Sequence, residues 1–182
     1  MEQKAILNSN SIKIILQRLA CQMIEKHIDF SNTVLIGIQP RGIYLAERLK
    51  KILELNYLID EIQLGYLDIT FFRDDFRKTD KLLEAKSTKI DFIIENKNVI
   101  LIDDVLFTGR SISSALTALQ SFGRPNAIEL LVLIDRRFSR HLPIQPDYTG
   151  LQVDVIKNEK VLVKWKENET EDAVFLINKS QI

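Results

Sequence analysis

The sequence predicts an α/β fold, a mostly parallel sheet with helices on its faces. Three observations carry that expectation. Helix-periodic and β-type runs alternate in the order αβαβ, a long loop, βαβ, a loop, ββ. Val99-Ile100-Leu101-Ile102 is a continuous apolar run, as a strand buried on both faces requires. That run ends on Asp103 and Asp104, with a small-residue turn at Thr108-Gly109 before the next helical segment. Open α/β sheets bind ligands at such a place.

Taken in order, Asn10 or Ser11 caps a helix through about His27, with Ile12, Ile15, Leu16, Leu19, Met23 and Ile24 on one face. Thr33 to Ile38 is a short β-type run, and Gln39-Pro40-Arg41-Gly42 is a turn by composition. Helical spacing returns over Ile43 to Leu55, and Ile62 to Thr70 reads as a strand. Phe72 to Phe92 carries many charges and no long periodicity, with a short helix near Thr79 to Lys86. Val99 to Ile102 is the buried strand, and Ser111 to Phe122 the helix that Ser111 opens. Gly123-Arg124-Pro125 stops that helix. Ala127 to Ile134 is another apolar strand, followed by a Pro-punctuated loop to Gly150. Val161 to Trp165 and Val174 to Ile177 form a closing pair of strands.

At 182 residues the chain is expected to form one domain, 1–182. Its hydrophobic content of 46% and charged content of 27% are those of a soluble globular protein. A formal net charge of zero excludes a chain-wide field for nucleic acid and leaves room only for a local basic patch. The single cysteine, Cys21, excludes an internal disulfide framework and fits a reducing compartment. No signal-type segment follows Met1, and no apolar run approaches the roughly 18 residues that span a bilayer, so a cytoplasmic, non-membrane protein is expected.

The acids of Ile102-Asp103-Asp104 admit several readings. They are solvated carboxylates at a strand end, a Walker B pair, or part of a phosphate-plus-ribose site. No Gly-x4-Gly-Lys-[Ser/Thr] occurs, and only six glycines exist to build one, which argues against a P-loop NTPase. Gly-x-Gly-x-x-Gly is absent too, so a dinucleotide fold lacks its main support. In the third reading Thr108, Gly109, Arg110 and Ser111 wrap a phosphate with amides and hydroxyls at a helix N-terminus. Asp103 and Asp104 then lie at about sugar distance, where carboxylates take hydroxyls or Mg²⁺.

The run Ile100 to Ser111 resembles the phosphoribosyl-pyrophosphate (PRPP) motif of type I phosphoribosyltransferases. The variant is most similar to the PyrR family of pyrimidine-operon attenuators and uracil phosphoribosyltransferases. Gly37 to Ala46 resembles that family's pyrophosphate loop and the helix after it, and Asp68 to Asp75 the segment leading into its flexible lid. Phe122 to Pro125, Leu133 to Arg136, Leu142 to Ile144 and Asp147 to Gly150 are similar to its hood region. The resemblance covers nearly the whole chain in order. It implies a Rossmann-like, mostly parallel sheet flanked by helices, the type I phosphoribosyltransferase fold. A small C-terminal hood (about 135–182) and a lid loop (about 72–92) complete it.

The implied reaction joins uracil to PRPP, giving UMP and pyrophosphate, with Mg²⁺ as cofactor. Asp103 and Asp104 would hold the ribose hydroxyls directly or through the metal's waters. Val105, Leu106, Phe107, Thr108, Gly109, Arg110 and Ser111 would form the PRPP loop. Arg41 and Gly42 would meet the pyrophosphate, Arg73 would act from the lid, and Asp135 and Arg136 would face the base from the hood. The lid segment also carries Arg77, Lys78, Lys81, Lys86 and Lys89, as either a basic lid over the pyrophosphate or a solvated loop. Phe107 stands where 6-oxopurine enzymes of the superfamily carry a carboxylate, which favours a pyrimidine; packing under the loop is its other reading.

The family also implies a homodimer or higher assembly, and binding of a messenger-RNA stem-loop by basic residues. This chain departs there. It has Gln17 and Cys21 beside Arg18 and Lys26 in the first helix, and Gln145 and Leu151 in the hood, where RNA-binding members are more basic. Arg136, Arg137 and Arg140 remain. The expectation is that catalysis is retained and attenuation lost or altered. His27 and His141 have no ligand spacing to each other and are assigned no role.

Overall fold

The computed structural model describes residues 3–73, 85–155 and 159–178. Its centre is a five-stranded parallel sheet in the order β3-β2-β4-β5-β6. The strands are β2 (Thr33–Ile38), β3 (Leu64–Leu67), β4 (Asn98–Leu106), β5 (Ala127–Arg137) and β6 (Tyr148–Asp154). Helices α1 (Ser9–His27) and α2 (Gly42–Tyr57) cover one face, and α3 (Arg110–Leu119) covers the other. Side-chain alternation along β4 feeds both layers. Ile100 and Ile102 join the core under α1 and α2, while Val99 and Leu101 join the core under α3.

A smaller antiparallel sheet, β1-β8-β7, comprises β1 (Gln3–Leu7), β7 (Glu159–Lys164) and β8 (Ala173–Asn178). Trp165, fully buried just after β7, anchors it on α2. The Arg48 guanidinium lies 4.7 Å from that ring's centre. Arg48 also donates to Glu167 at 2.8 and 2.7 Å and to Asp172 at 2.6 Å.

Several boundaries differ from expectation. Strand β4 does not stop at Ile102 but continues through both acids to Leu106, because β5 pairs with it as far as Asp135. Helix α1 is capped by Asn8, whose side chain accepts from the Ser11 amide. Helix α3 starts at Arg110 behind Gly109, so Ser111 is not its cap. Only Leu64–Leu67 of the expected 62–70 strand pairs in the sheet, followed by a 3₁₀ turn at Thr70–Phe72. Residues 148–154, placed in the hood and partly in a loop by the sequence reading, are the edge strand β6 of the main sheet. The end of β5, with Asp135 and Arg136, is main sheet as well. The small sheet instead draws on the chain's beginning through β1.

Most of the expected lid, including Arg77, Lys78 and Lys81, lies outside the described residues, as does most of the short helix expected near 79–86. Its returning limb is tied to β3: Lys89 and Tyr66 exchange main-chain hydrogen bonds at 2.8 Å each. Among the described residues, no helix is long and apolar enough to cross a membrane.

Candidate active site

The carboxyl end of β4 and the start of α3 enclose a cavity of about 370 Å³. Its walls are Asp103, the run from Val105 to Ile112, Ser114, Arg73 and His141. Gly109 makes the turn from strand to helix at φ 89°, a left-handed conformation that costs a β-carbon-bearing residue energy. Gly109, at the N-cap position, has no side chain to cap α3. The first-turn amides of α3 therefore end at the cavity rim with the positive end of the helix dipole, and that combination binds anions. The Thr108 hydroxyl accepts from the Arg110 amide at 3.4 Å, and Ser114 Oγ donates to the Arg110 carbonyl at 3.0 Å. Together they shape the turn.

Asp103 is buried at 9% exposure, and its Oδ1 accepts from the Asp104 amide at 2.9 Å. Burial, then the neighbouring Asp104 charge, pushes the Asp103 carboxyl well above the ordinary carboxylate range. Burial also raises Asp104, against the opposing charge of Arg41. Both carboxyls are thus harder to ionise than exposed ones. Their oxygens suit a hard cation such as Mg²⁺, which keeps waters and takes few protein ligands. No cluster of three or more His, Cys, Asp or Glu side chains able to hold a metal exists among the described residues. A cation here would complete its shell with oxygens from a bound ligand.

The turn from β2 to α2 reaches the same place. A Cβ at Gly42 would lie 2.4 Å from the Ile102 carbonyl oxygen and 3.0 Å from Asp103 Cα, so only glycine lets α2 start this close to β4. Arg41 sits beside it, and its Nη1 donates to the Val163 carbonyl of β7 at 3.3 Å. Arg41, Gly42 and Asp104 adjoin the cavity's acidic end without forming its wall.

Asp135 and Arg136 do not line this cavity either. Arg136 is buried and stacks 4.0 Å from the centre of the Phe107 ring. Its Nη2 donates to the Glu159 carbonyl at 3.1 Å, and its buried Nε has no hydrogen-bond partner among the described residues. Burial lowers its pKa. Asp135 pairs with Arg140, which also donates to the Phe107 carbonyl. The Phe107 ring packs on Arg136, is 44% exposed and lines the cavity.

Sequence reasoning missed His141, Ile112 and Ser114 as cavity residues, and it missed the contact of Arg140 with the loop. Ile112 and Ser114 follow from helical spacing once α3 is placed. His141 and Arg140 carry no local signal, because they arrive from a Pro-punctuated loop after β5.

The chain matches the phosphoribosyl transferase domain family over residues 2–168. It is 46% identical over 178 residues to the bifunctional protein PyrR of Desulfosudis oleivorans, covering 97% of each chain. It is 42% identical over 179 residues to the bifunctional protein PyrR of Elusimicrobium minutum, covering 98% of each. The hypoxanthine phosphoribosyltransferase of Trypanosoma cruzi has a similar structure, with a TM-score of 0.71 at 14% identity over 96% of each chain, a likeness of fold alone.

Proposed function

The chain belongs to the PyrR family of phosphoribosyl transferase domain proteins, and from there we propose that its cleft joins uracil to PRPP, releasing UMP and pyrophosphate. One observation carries the reading. The N-terminus of α3 and the buried Asp103, with Asp104 beside it, meet at one cavity at the carboxyl edge of a parallel sheet. An anionic group fits the first and a polyhydroxyl sugar the second.

The step breaks the bond from ribose C1 to the pyrophosphate oxygen and forms one from C1 to a uracil nitrogen, which loses its proton. Positive charge builds on the ribose and negative charge on the leaving group, so positioning and electrostatics suffice. The amides and hydroxyls of Thr108 to Ser111 hold the 5′-phosphate. Asp103 and Asp104 hold the ribose hydroxyls and, once ionised, stabilise the positive sugar. Arg41 and Arg73 meet the pyrophosphate with charge-assisted donors. Phe107, backed by Arg136, offers an aromatic wall to the base and no carboxylate for a purine nitrogen. Mg²⁺, held by the two aspartates through water or the ribose, would neutralise the pyrophosphate charge.

Conversion of radiolabelled uracil, hypoxanthine and orotate with PRPP and Mg²⁺ tests the reading. Uracil is expected to be converted at least about tenfold better in kcat/KM than either competitor, as one well-placed contact supplies. Preference for hypoxanthine or orotate would assign the site to another base.

A second reading is a PyrR-type regulator that binds pyrimidine-operon messenger RNA. The relatives' description as bifunctional favours it over catalysis alone, and over the loss expected from Gln17, Cys21, Gln145 and Leu151. Against it, three arginines on that side already serve protein acceptors. Arg18 donates to the Thr149 and Gly150 carbonyls, Arg137 pairs with Asp154, and Arg140 pairs with Asp135. A stem-loop titration over a salt series decides, with selective, salt-steep binding expected of a regulator.

A further inference from the structure

We infer that Arg140 is a positioning residue for the phosphate loop, fixing the Phe107–Thr108 peptide so that the Thr108 amide faces the cavity. The inference rests on the PRPP reading above and adds a residue outside the cavity wall. Three hydrogen bonds and the packing of two apolar side chains join the segment after β5 to the loop. Arg140 Nη1 donates to the Phe107 carbonyl. The His141 and Leu142 amides donate to the Thr108 carbonyl at 3.0 and 3.3 Å. Ile144 and Leu142 carbons lie 3.3 and 3.5 Å from the position of a Cβ on Gly109, packing against that side of the turn.

The consequence follows from peptide geometry. The bonds Phe107–Thr108 and Thr108–Gly109 are trans, the described residues containing a cis bond only at Gln39–Pro40. In a planar trans peptide the N–H points opposite to the C=O. Holding the Phe107 carbonyl outward therefore turns the Thr108 amide the other way, and holding the Thr108 carbonyl outward does the same for the Gly109 amide. Phe107, Thr108 and Gly109 line the cavity and Arg140 does not, although His141 reaches the cavity wall. A peptide flip at either bond would aim a carbonyl at the anion, replacing attraction with repulsion. Two main-chain donors guard the second bond, while the first depends on one side chain.

That side chain is itself held. Arg140 pairs with Asp135, which is buried at 5% exposure at the end of β5. Leu106 and Asp135 are partners across the β4–β5 ladder, so Arg140 spans from the strand beside the loop to the loop. A guanidinium can serve a carboxylate and a carbonyl with separate N–H groups in one plane, whereas an ammonium is a point charge without that fork. Arg140 thus gives Asp135 a task distinct from touching the base.

Ribose 5-phosphate tests this, since it carries the phosphate and sugar but neither base nor pyrophosphate. Its affinity, and that of PRPP with Mg²⁺, is measured by calorimetry for the wild type, Arg140→Gln and Arg140→Lys. Both variants are expected to bind both ligands about tenfold more weakly, the worth of one charge-assisted hydrogen bond, with inorganic pyrophosphate affinity unchanged. Arg140→Lys keeps the charge opposite Asp135, so its loss reports the fork rather than the ion pair. In the ¹⁵N-labelled wild type, the Thr108 and Gly109 amide resonances are expected to move downfield on adding ribose 5-phosphate. That readout needs no variant to fold. A folded variant that binds ribose 5-phosphate like the wild type, an equal loss for pyrophosphate, or unmoved amides would overturn the inference. A wild type that binds no PRPP would instead overturn the reading on which it rests.

Discussion

If Asp103 serves the proposed reaction, function and stability pull in opposite directions there. Burial, and then the charge of Asp104, raises its pKa well above the ordinary value of 3.8. Between that value and the raised one, the folded protein holds a proton that the unfolded chain has released. Stability is then fully present below the ordinary carboxylate range and falls as pH rises through the folded pKa. Asp103→Asn removes the titrating group and keeps the shape. Thermal melts from pH 4 to 8 should show the wild type losing melting temperature with pH more steeply than the variant. The variant should be the more stable of the two near neutrality, despite its lower turnover. Parallel profiles would show that Asp103 ionises without penalty. The acid pair was legible in the sequence because two carboxylates ending an apolar run are rare in a core. The strain on them was not, since it depends on how far β5 follows β4.

At the scale of elements, legibility followed burial. Strand β4 and the apolar part of β5 stood out because burial on both faces demands unbroken apolar runs. Strand β6 is an edge, its exposure alternates, and it follows a Pro-rich loop, so its sequence resembles the loop before it. Strand β1 is five residues long and finds its partner Ile177 almost a full chain length away. The start of α3 was misjudged by one residue because a serine invites a capping role. Gly109 takes the position by conformation and offers no capping side chain. The α2 start carries a sharper test. Gly42→Ala places a methyl group 2.4 Å from the Ile102 carbonyl, so α2 or β4 must shift. We expect a loss of about 1–3 kcal/mol in denaturant unfolding. Turnover should fall by up to about 100-fold, because Arg41 shifts away from Asp104. A variant with wild-type kcat/KM would mean that this close approach does not set the site.

The whole molecule assembles its cleft from segments far apart in sequence: the β2–α2 turn, the β3 exit at Arg73, the β4–α3 loop and the segment after β5. Arg41 and Arg48 of α2 also hold the second sheet, through the Val163 carbonyl and through Trp165 with its neighbouring acids. The hood expected from residues of about 135–182 alone is therefore a joint product of both chain ends and α2, which composition and spacing cannot reveal. Motif order across the chain made the family legible, whereas the brace from Arg140 to Phe107 exists only in three dimensions. The most direct test of the central claim is PRPP-dependent conversion of uracil to UMP by the wild type and by the Asp103→Asn, Asp104→Asn double variant. The wild type should turn over, and the folded double variant should lose at least about 10³-fold in kcat. Unchanged turnover in the double variant would contradict the assignment of the site.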